Sequence, residues 1–337
     1  MTNKVKIHPA KLEFQSDPEG SILDAAISSN IYLAHSCMNG NCGICKSRLL
    51  KGDIRHLSES QALSETEIRD GFILTCCSQA LSDIEIEADY YPELSSINRM
   101  IQPCKVESIE FPVIDVAILK LKLPPAADFR FLPGQYIQLI IKGERRSYSI
   151  ANIMDTYTGI ELHIRKVDGG VFSEYIFNEL KKNQLLQLDG PVGSFFVRKE
   201  DGPVVFLAGG TGFAPVKSMV EQLIKDKTDR KIYIYWGVSS KQLLYTDIAN
   251  KWQSKYGNIE YIPVVSDDNS YKGRQGLVHR AVLEDFNDLS VYDVYACGSP
   301  EMIETARDDF IASGMKPEKF YSDAFVSTDK NIKNQGN

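Results

Sequence analysis

Four cysteines in the N-terminal third of the chain have the spacing of ligands to a metal centre. Cys37, Cys42 and Cys45 form the pattern C-x4-C-x2-C, and Cys76 follows further along the chain. Four thiolates at this spacing hold a [2Fe–2S] cluster. A structural zinc site is the alternative, because Cys42-x2-Cys45 alone fits one. A Rieske centre needs two histidine ligands, and no histidine follows these cysteines at a suitable spacing.

A second group of residues, in the middle of the chain, could bind a flavin. Arg146, Tyr148 and Ser149 form the motif R-x-Y-S, in which a guanidinium can bind a pyrophosphate, a ring can stack on an isoalloxazine and a hydroxyl can lie near flavin N5. The motif resembles that of the ferredoxin–NADP reductase superfamily and so implies FAD. Gly170 and Ser173 match the G-x-x-S of the same superfamily, where a helix N-terminus binds phosphate. An ordinary helix N-cap is the alternative for Ser173.

A glycine-rich turn indicates a nicotinamide nucleotide. Gly209, Gly210, Thr211 and Gly212 lie between an apolar strand and an amphipathic helix, which is the context of a phosphate-cradling turn. The turn lacks the third glycine of G-x-G-x-x-G, but residues 209–215 match the G-G-T-G-x-A-P of the same superfamily.

Cys297 and Gly298 end another predicted strand, at the edge of an open parallel sheet where ligands bind. The resemblance implies that Cys297 lies beside nicotinamide C4 and flavin N5, that Cys297 and Ser149 are catalytic, and that Phe325 approaches the flavin ring. A buried, inert thiol is the alternative for Cys297. Residues 237–241 lack an arginine for a 2′-phosphate, which favours NADH, although Lys241 leaves NADPH open.

The elements that must position these residues follow from hydrophobic periodicity. Alternation predicts a half-buried strand at 83–87, and short strands with turn signals at 116–123 and 135–141 predict a small antiparallel barrel. Further along, apolar strands alternate with helical patterns, which predicts a parallel, doubly wound sheet. The strands are predicted at 203–208, 231–236, 259–265 and 291–296, and the helices include 214–225 and 300–313, with Gly314 as a C-cap.

The resemblance to reductases with an N-terminal plant-type ferredoxin domain implies a multidomain fold. We expect an α+β, β-grasp [2Fe–2S] domain at 1–92, a linker at 93–99, an antiparallel β-barrel FAD domain at 100–199, an α/β doubly wound parallel-sheet NAD domain at 200–328 and a disordered tail at 329–337. The resemblance also favours Cys76 over Cys77 as the fourth ligand, because the distance onward to residues 82–83 matches the segment after the last ligand in such domains.

Composition excludes several classes of protein. The 337 residues are 43% hydrophobic and 25% charged, which are globular values. No apolar run approaches the ~20 residues of a membrane span, and no apolar segment near the N-terminus indicates export, so we expect a cytoplasmic protein with no membrane partner. The net charge of −7 argues against nucleic acid. Residues 1–99 hold nine basic and fourteen acidic residues, which could steer this region towards a basic partner.

Several stretches, at 73–80, 90–95, 209–221 and 322–326, are similar to reductases of 3,6-dideoxyhexose synthesis. That resemblance implies that NADH reduces FAD, that FAD reduces the [2Fe–2S] cluster, and that the cluster passes electrons to a pyridoxamine-phosphate iron–sulfur enzyme, a CDP-6-deoxy-hexulose 3-dehydrase. The implied outcome is C-3 deoxygenation of CDP-4-keto-6-deoxy-D-glucose for lipopolysaccharide O-antigen.

Three other functions fit part of these observations. The reductase component of a multicomponent oxygenase would carry the same three cofactors, so no motif distinguishes it from a reductase of 3,6-dideoxyhexose synthesis. A redox carrier or sensor without hydride chemistry would not need the nucleotide turn or Cys297. A zinc-binding interaction module would use the cysteines alone.

Overall fold

The computed structural model describes residues 2–125, 127–154 and 158–325, so Val326 and the predicted tail at 329–337 lie outside the described residues. The chain divides into two compact units, one of Met1–Asn98 with Val192–Ser194 and one of Arg99–Pro191 with Phe195–Asn337. The first break falls within the linker predicted at 93–99. Among the described residues, no helix has both the length and the apolar character that a membrane span requires.

The first unit is built on a five-stranded sheet with the order β2-β1-β7-β3-β5, and β4 pairs separately with β6. Its elements are β1 (Lys4–His8), β2 (Leu12–Gln15), α1 (Ile22–Ser28), β3 (Lys46–Lys51), β4 (Ile54–His56), α2 (Glu65–Arg69), β5 (Phe72–Leu74), β6 (Ser78–Ala80) and β7 (Ile84–Glu87). The half-buried strand predicted at 83–87 is β7, whose Ile84 and Ile86 enter the core beneath α1. β1 lies parallel to β7, with Val5 opposite Ile84.

The second unit begins with a six-stranded antiparallel sheet of order β11-β10-β13-β8-β9-β12. Its elements are β8 (Met100–Val113), β9 (Val116–Lys122), β10 (Tyr136–Ile141), β11 (Glu144–Ser149), β12 (Gly159–Arg165), α3 (Val171–Asn178) and β13 (Leu185–Val192). The two predicted strands of this region are β9 and β10. A bridge between Ile150 and Leu162 brings the chain after β11 to the edge strand β12.

A buried carboxylate links the start of β8, the strand β13 and the edge strand β11 of this antiparallel sheet. Asp189 on β13 accepts hydrogen bonds from Arg99 Nε and Nη2 at 2.7 and 2.9 Å, and also from Arg145 on β11. Arg145 precedes the Arg146 of the flavin motif. The ion pair therefore anchors the strand that carries that motif.

The rest of the second unit is a six-stranded parallel sheet of order β17-β16-β15-β14-β18-β19. Its elements are β14 (Val204–Gly209), α4 (Phe213–Lys225), β15 (Ile232–Val238), α5 (Ile248–Lys255), β16 (Ile259–Val265), β17 (Arg274–Gln275), α6 (Val278–Asp285), β18 (Asp293–Gly298), α7 (Pro300–Ala312) and β19 (Phe320–Ala324). The four strands and two helices predicted here are all observed, with bounds shifted by one or two residues.

Alternate residues of the central strand β14 enter two different cores. Phe206 and Ala208 join a cluster on one face of the sheet, whereas Val205 and Leu207 join a cluster on the other. A strand that is buried on both faces must be apolar throughout, which explains why this segment has no alternation. The order of the strands reverses between β14 and β18. In such sheets, the reversal opens a crevice at the carboxyl ends of the two strands, where ligands bind.

Candidate functional site

The glycine turn after β14 lies directly against the end of β18. A Cβ on Gly212 would come within 2.2 Å of the Cys297 carbonyl oxygen, so only glycine allows this approach. Gly210 differs, because its φ is +54° and nothing lies within 4 Å of the place a Cβ would occupy. Gly212 therefore closes the turn onto the sheet, and Gly210 leaves open space on the other side.

Two aromatic side chains hold this turn in place. Trp236 on β15 donates a hydrogen bond from Nε1 to the Gly210 carbonyl oxygen at 2.8 Å. Its ring stacks on Phe213, the first residue of α4, with centroids 4.1 Å apart. The sequence did not predict this role, because Trp236 is there only an apolar residue at the end of a predicted strand.

A crevice of about 410 Å³ opens at this edge of the sheet, and we refer to it as the nucleotide crevice. The turn contributes Gly210 and Thr211 to its wall, the first residues of α6 and α7 line another side, and Val116 and Arg165 of the antiparallel sheet complete it. Helix N-termini carry unpaired N–H groups and a partial positive charge, which suits a diphosphate. The volume is also within the range of small-molecule sites.

Cys297 and Phe325 lie at the same edge of the sheet. Cys297 is fully buried between Ala208 of β14 and Asp323 of β19, and burial raises the pKa of its thiol well above the ordinary value. It is therefore a neutral thiol at neutral pH. Phe325 follows β19 directly, and its N–H donates to the Gly298 carbonyl oxygen at 2.8 Å, which brings its partly exposed ring close to the end of β18.

The two predicted flavin motifs meet through one phenylalanine. Arg146 and Tyr148 alternate along β11 and share a face, whereas Ser149 is buried opposite Tyr136. The Tyr148 ring lies 6.0 Å from the ring of Phe172, and the Arg146 guanidinium lies over the same ring at 5.8 Å. The strand motif and the start of α3 are thus brought together, as a shared cofactor would require.

Ser173 is placed differently from expectation. α3 begins at Val171 with Gly170 as its N-cap, so Ser173 is the third helical residue and not the N-cap. Its hydroxyl lies 3.0 Å from the carbonyl oxygens of Val167 and Gly170 and accepts from the Val167 N–H at 3.1 Å. The hydroxyl therefore fixes the loop, which leaves the N–H groups of the first turn as the donors for a phosphate.

In the first unit, the cysteines form two pairs. The Cys42 N–H donates to Cys37 Sγ at 3.3 Å, and the Cys37 N–H donates to Cys42 Sγ at 3.4 Å. Cys45 Sγ and Cys76 Sγ lie 3.2 Å apart. Gly40 and Gly43 have φ of +81° and +73°, the left-handed conformation that lets this loop wrap closely.

The chemistry around these thiols fits a two-iron cluster. A hydrogen bond from the Cys42 thiol, together with backbone N–H groups of residues 39, 41 and 42, lowers the pKa of Cys37 to about 6. Donors aimed at sulfur favour the thiolate form of Cys37. The pKa values of Cys42 and Cys76 are raised instead, by the thiol paired with each and by burial. Among the described residues, no three cysteine, histidine or carboxylate side chains converge to hold one metal ion.

Cys77 differs from Cys76 in its burial, although the two sulfurs lie 3.5 Å apart. Cys77 is buried in a small hydrophobic core with Cys45 and Leu74, and a Cβ on Gly40 would lie 2.9 Å from the Cys77 sulfur. Cys76 is half-buried beside Cys45. This placement favours Cys76 as the ligand and gives Cys77 a packing role beneath the loop.

Three family models match successive parts of the chain. They are the 2Fe-2S iron-sulfur cluster binding domain at 5–81, the oxidoreductase FAD-binding domain at 103–197 and the oxidoreductase NAD-binding domain at 206–308. A CDP-6-deoxy-L-threo-D-glycero-4-hexulose-3-dehydrase reductase from Yersinia pseudotuberculosis is 55% identical, over 97% of this chain and 99% of that protein. The chain belongs to the ferredoxin–NADP reductase superfamily. The predictions of an iron–sulfur cluster, FAD and a nicotinamide nucleotide are confirmed.

More distant members of the superfamily also match this reductase along its whole length. Reductase component 1 of terephthalate 1,2-dioxygenase from Comamonas is 34% identical, over 97% of this chain and 98% of that protein. Among solved structures, a cytochrome P450 reductase from Amycolatopsis matches with a TM-score of 0.79 and 26% identity, over 97% of this chain and 99% of that chain.

The reductase also contains a buried polar network that sequence reasoning missed. Lys217 on α4 donates to the Ala151 carbonyl oxygen at 2.8 Å and lies 3.2 Å from Glu161 on β12 and 2.8 Å from Glu221. Burial raises the pKa of Glu221. Lys217 therefore joins the helix that begins at the glycine turn to the antiparallel sheet, two residues after Ser149. Lys217 and Glu221 are four residues apart on one helix, but Ala151 and Glu161 are far from both in sequence, so no local pattern predicts the network.

The fourth cluster ligand can be tested with two adjacent substitutions. Cys76→Ser should remove most of the iron, because it deletes one thiolate of a facing pair. Cys77→Ser should keep the iron and lower only thermal stability, since its sulfur packs under Gly40. Iron and sulfide content with the visible spectrum measures both, and iron loss confined to Cys77→Ser would reverse the assignment.

The role of Gly210 can be separated from folding. Gly210→Ala should lower the free energy of unfolding by only ~1–2 kcal/mol, the cost of a left-handed alanine, since its Cβ meets open space. A nucleotide lying against the turn would meet that Cβ, so the dissociation constant for NAD⁺ should rise by about tenfold or more. Gly257→Ala, also in open space but outside the nucleotide crevice, is the control and should change neither quantity. Wild-type NAD⁺ affinity in a stable Gly210→Ala protein would contradict this placement.

Proposed function

We propose that the chain oxidises NADH and supplies electrons to a pyridoxamine-phosphate iron–sulfur dehydrase, a CDP-6-deoxy-hexulose 3-dehydrase that acts on CDP-4-keto-6-deoxy-D-glucose. The observation that carries the proposal is 55% identity, along almost the whole of both chains, to a Yersinia pseudotuberculosis protein named as the reductase of a CDP-hexulose 3-dehydrase. When bound, FAD converts the two-electron chemistry of NADH into single-electron steps for the cluster.

The residues of the chain divide this work among three sites. Gly209, Gly210, Thr211 and Gly212, with the start of α4, hold the diphosphate of the nucleotide. Arg146, Tyr148 and Ser149 on β11, with Gly170 and the N–H of Ser173, hold FAD. Cys37, Cys42, Cys45 and Cys76 hold the cluster. These assignments rest on the backbone geometry of the turns and on the pairing of the thiols.

Cys297 and Ser149 are the proposed catalytic residues, and Gly298 and Phe325 complete the site of hydride transfer. Cys297 lies at the carboxyl end of β18 as a neutral, fully buried thiol, which keeps water away from this end of the strand. A dry site protects a hydride donor and acceptor from competing reactions with water. The ring of Phe325, held at this edge through Gly298, would cover the flavin from the side of β19.

The fold proposed for each site follows the same division. The first sheet corresponds to a β-grasp ferredoxin domain at 1–92, followed by the linker at 93–99. The antiparallel sheet corresponds to a β-barrel FAD domain at 100–199, and the parallel sheet to a doubly wound NAD domain at 200–328. A cytoplasmic location belongs to the same proposal, because cluster thiolates and NADH chemistry suit a reducing compartment.

Delivery of electrons to an oxygenase is the second candidate. The Comamonas terephthalate dioxygenase reductase component matches over the same length at 34% identity. The difference between 55% and 34% identity favours the dehydrase. The cofactor sites do not discriminate, since both functions would use them alike.

Reconstitution with each partner decides between the two. Purified chain and NADH should support 3-deoxygenation of CDP-4-keto-6-deoxy-D-glucose by the matching dehydrase, measured as product by mass spectrometry. The same chain should support terephthalate dioxygenation by the oxygenase component at least about tenfold more slowly. Equal or faster turnover with the oxygenase would contradict the proposal, and Cys76→Ser is the control that should abolish delivery to either partner.

A further inference from the structure

Tyr245 forms part of the wall of the nucleotide crevice, and its ring contacts the residues that hold the glycine turn. It meets Trp236 edge-on, with centroids 5.0 Å apart and an angle of 83°, and approaches Phe213 at 6.5 Å. Trp236 in turn holds the Gly210 carbonyl oxygen. A shift of the Tyr245 ring would therefore change the shape of the crevice and also displace Trp236, which holds the turn.

The hydroxyl of Tyr245 is bonded to a histidine on the antiparallel sheet. His163 Nδ1 lies 2.9 Å from Tyr245 Oη, and His163 Nε2 lies 3.1 Å from Glu161 Oε1 on the same strand, β12. The two rings are also perpendicular, with centroids 5.3 Å apart. A line of three polar groups thus runs from the antiparallel sheet to the wall of the crevice.

The charges around this line fix the direction of its hydrogen bonds. Burial opposes ionisation of Glu161, but the hydrogen bond from His163 and the charge of Lys217 outweigh it and lower its pKa to about 2. Burial also lowers the pKa of His163, so its imidazole is neutral. Two further charged groups face this pair: Lys120, at 3.8 Å from Glu161 Oε2, and Glu221, which shares Lys217 with Glu161.

A neutral imidazole has one donor and one acceptor, and an ionised carboxylate can only accept. Nε2 must therefore donate to Glu161, and Nδ1 must accept from the Tyr245 hydroxyl. The hydrogen-bond network thus assigns the histidine tautomer. The proton of Tyr245 is committed to His163, which holds the phenol in one orientation.

A buried polar line of this kind is costly unless every member is satisfied, and an apolar core would pack as well. Its members connect the strand β12 to Tyr245 in the wall of the crevice. We propose that Glu161 and His163 are positioning residues of the nucleotide site, which act by holding Tyr245 in place as a wall for the bound nicotinamide nucleotide. The inference rests on the proposed function for the identity of that ligand.

The first test measures NAD⁺ affinity rather than turnover. NAD⁺ is titrated into the full-length, FAD- and cluster-loaded oxidised protein, and the dissociation constant is read from the flavin spectrum. Tyr245→Phe keeps the ring but leaves His163 Nδ1 without a partner, so the dissociation constant should rise about tenfold. Tyr261→Phe is the matched control, because Tyr261 is buried in the same cluster but does not line the crevice, and its affinity should stay within about twofold of wild type.

A pair of histidine substitutions gives a second, independent test. The amide of His163→Asn can take the place of Nδ1 and still accept from Tyr245, whereas that of His163→Gln takes the place of Nε2 and reaches only Glu161. We expect His163→Asn to bind NAD⁺ more tightly than His163→Gln, whose dissociation constant should match that of Tyr245→Phe. A general loss of packing would affect both histidine variants alike. Thermal midpoints and flavin content verify folding, and the histidine pair decides the matter if Tyr245→Phe does not fold.

Two results would overturn the inference: wild-type affinity in Tyr245→Phe, or equal affinity in the two histidine variants. Both leave the proposed function intact, since wild-type protein would still bind NAD⁺. A wild-type chain that binds no NAD⁺ and reduces no dehydrase would instead overturn the proposed function itself.

Discussion

The nucleotide crevice depends on one close approach between two backbone segments. The turn after β14 lies so near the end of β18 that a single Cβ at Gly212 would collide with the Cys297 carbonyl oxygen at 2.2 Å. This contact fixes the position of the turn at the carboxyl ends of β14 and β18. Gly210 faces open space there, and Cys297 is buried beside it. Because the order of strands reverses between β14 and β18, a crevice opens at their carboxyl ends. Gly212 allows the turn to pack against the wall of that crevice without a steric clash.

A second constraint is electrostatic and joins the two sheets of the second unit. Lys217, on the helix that begins at the turn, contacts Glu161 and the backbone of Ala151 in the antiparallel sheet. A buried ammonium is tolerated only where carboxylates and carbonyl oxygens surround it, so these contacts are specific in direction as well as favourable. The antiparallel sheet, which carries the R-x-Y-S motif, and the glycine turn at 209–212 are thereby held in one relative arrangement. A fixed arrangement is what hydride transfer between a flavin and a nicotinamide requires.

Local patterns in the sequence predicted much of this molecule. The spacing of Cys37, Cys42 and Cys45 indicated an iron–sulfur cluster, and the glycine turn at 209–212 indicated a nucleotide, because both patterns lie in short stretches of sequence. The apolar strands of the parallel sheet were also predicted, since a strand buried on both faces has no polar position. The boundaries differed by at most two residues, as for β18, which was predicted at 291–296 and spans Asp293–Gly298.

What could not be predicted depends on contacts between residues far apart in the chain. His163 and Tyr245 are 82 residues apart, and neither stands in a motif. The difference between Cys76 and Cys77 likewise depends on Gly40, which only the folded loop brings against the Cys77 sulfur. Polar contacts of this kind have no period and no fixed spacing, so they appear only once the sheets are assembled.

The electron path from NADH through the flavin to the chain's own iron–sulfur cluster can be followed in a single anaerobic titration. The loaded protein is titrated with NADH while flavin absorbance and the cluster's electron paramagnetic resonance are recorded together. Both centres should become reduced after about one and a half equivalents of NADH, since the flavin takes two electrons and the cluster takes one. Flavin that is fully reduced while the cluster stays oxidised at any excess of NADH would rule out this path.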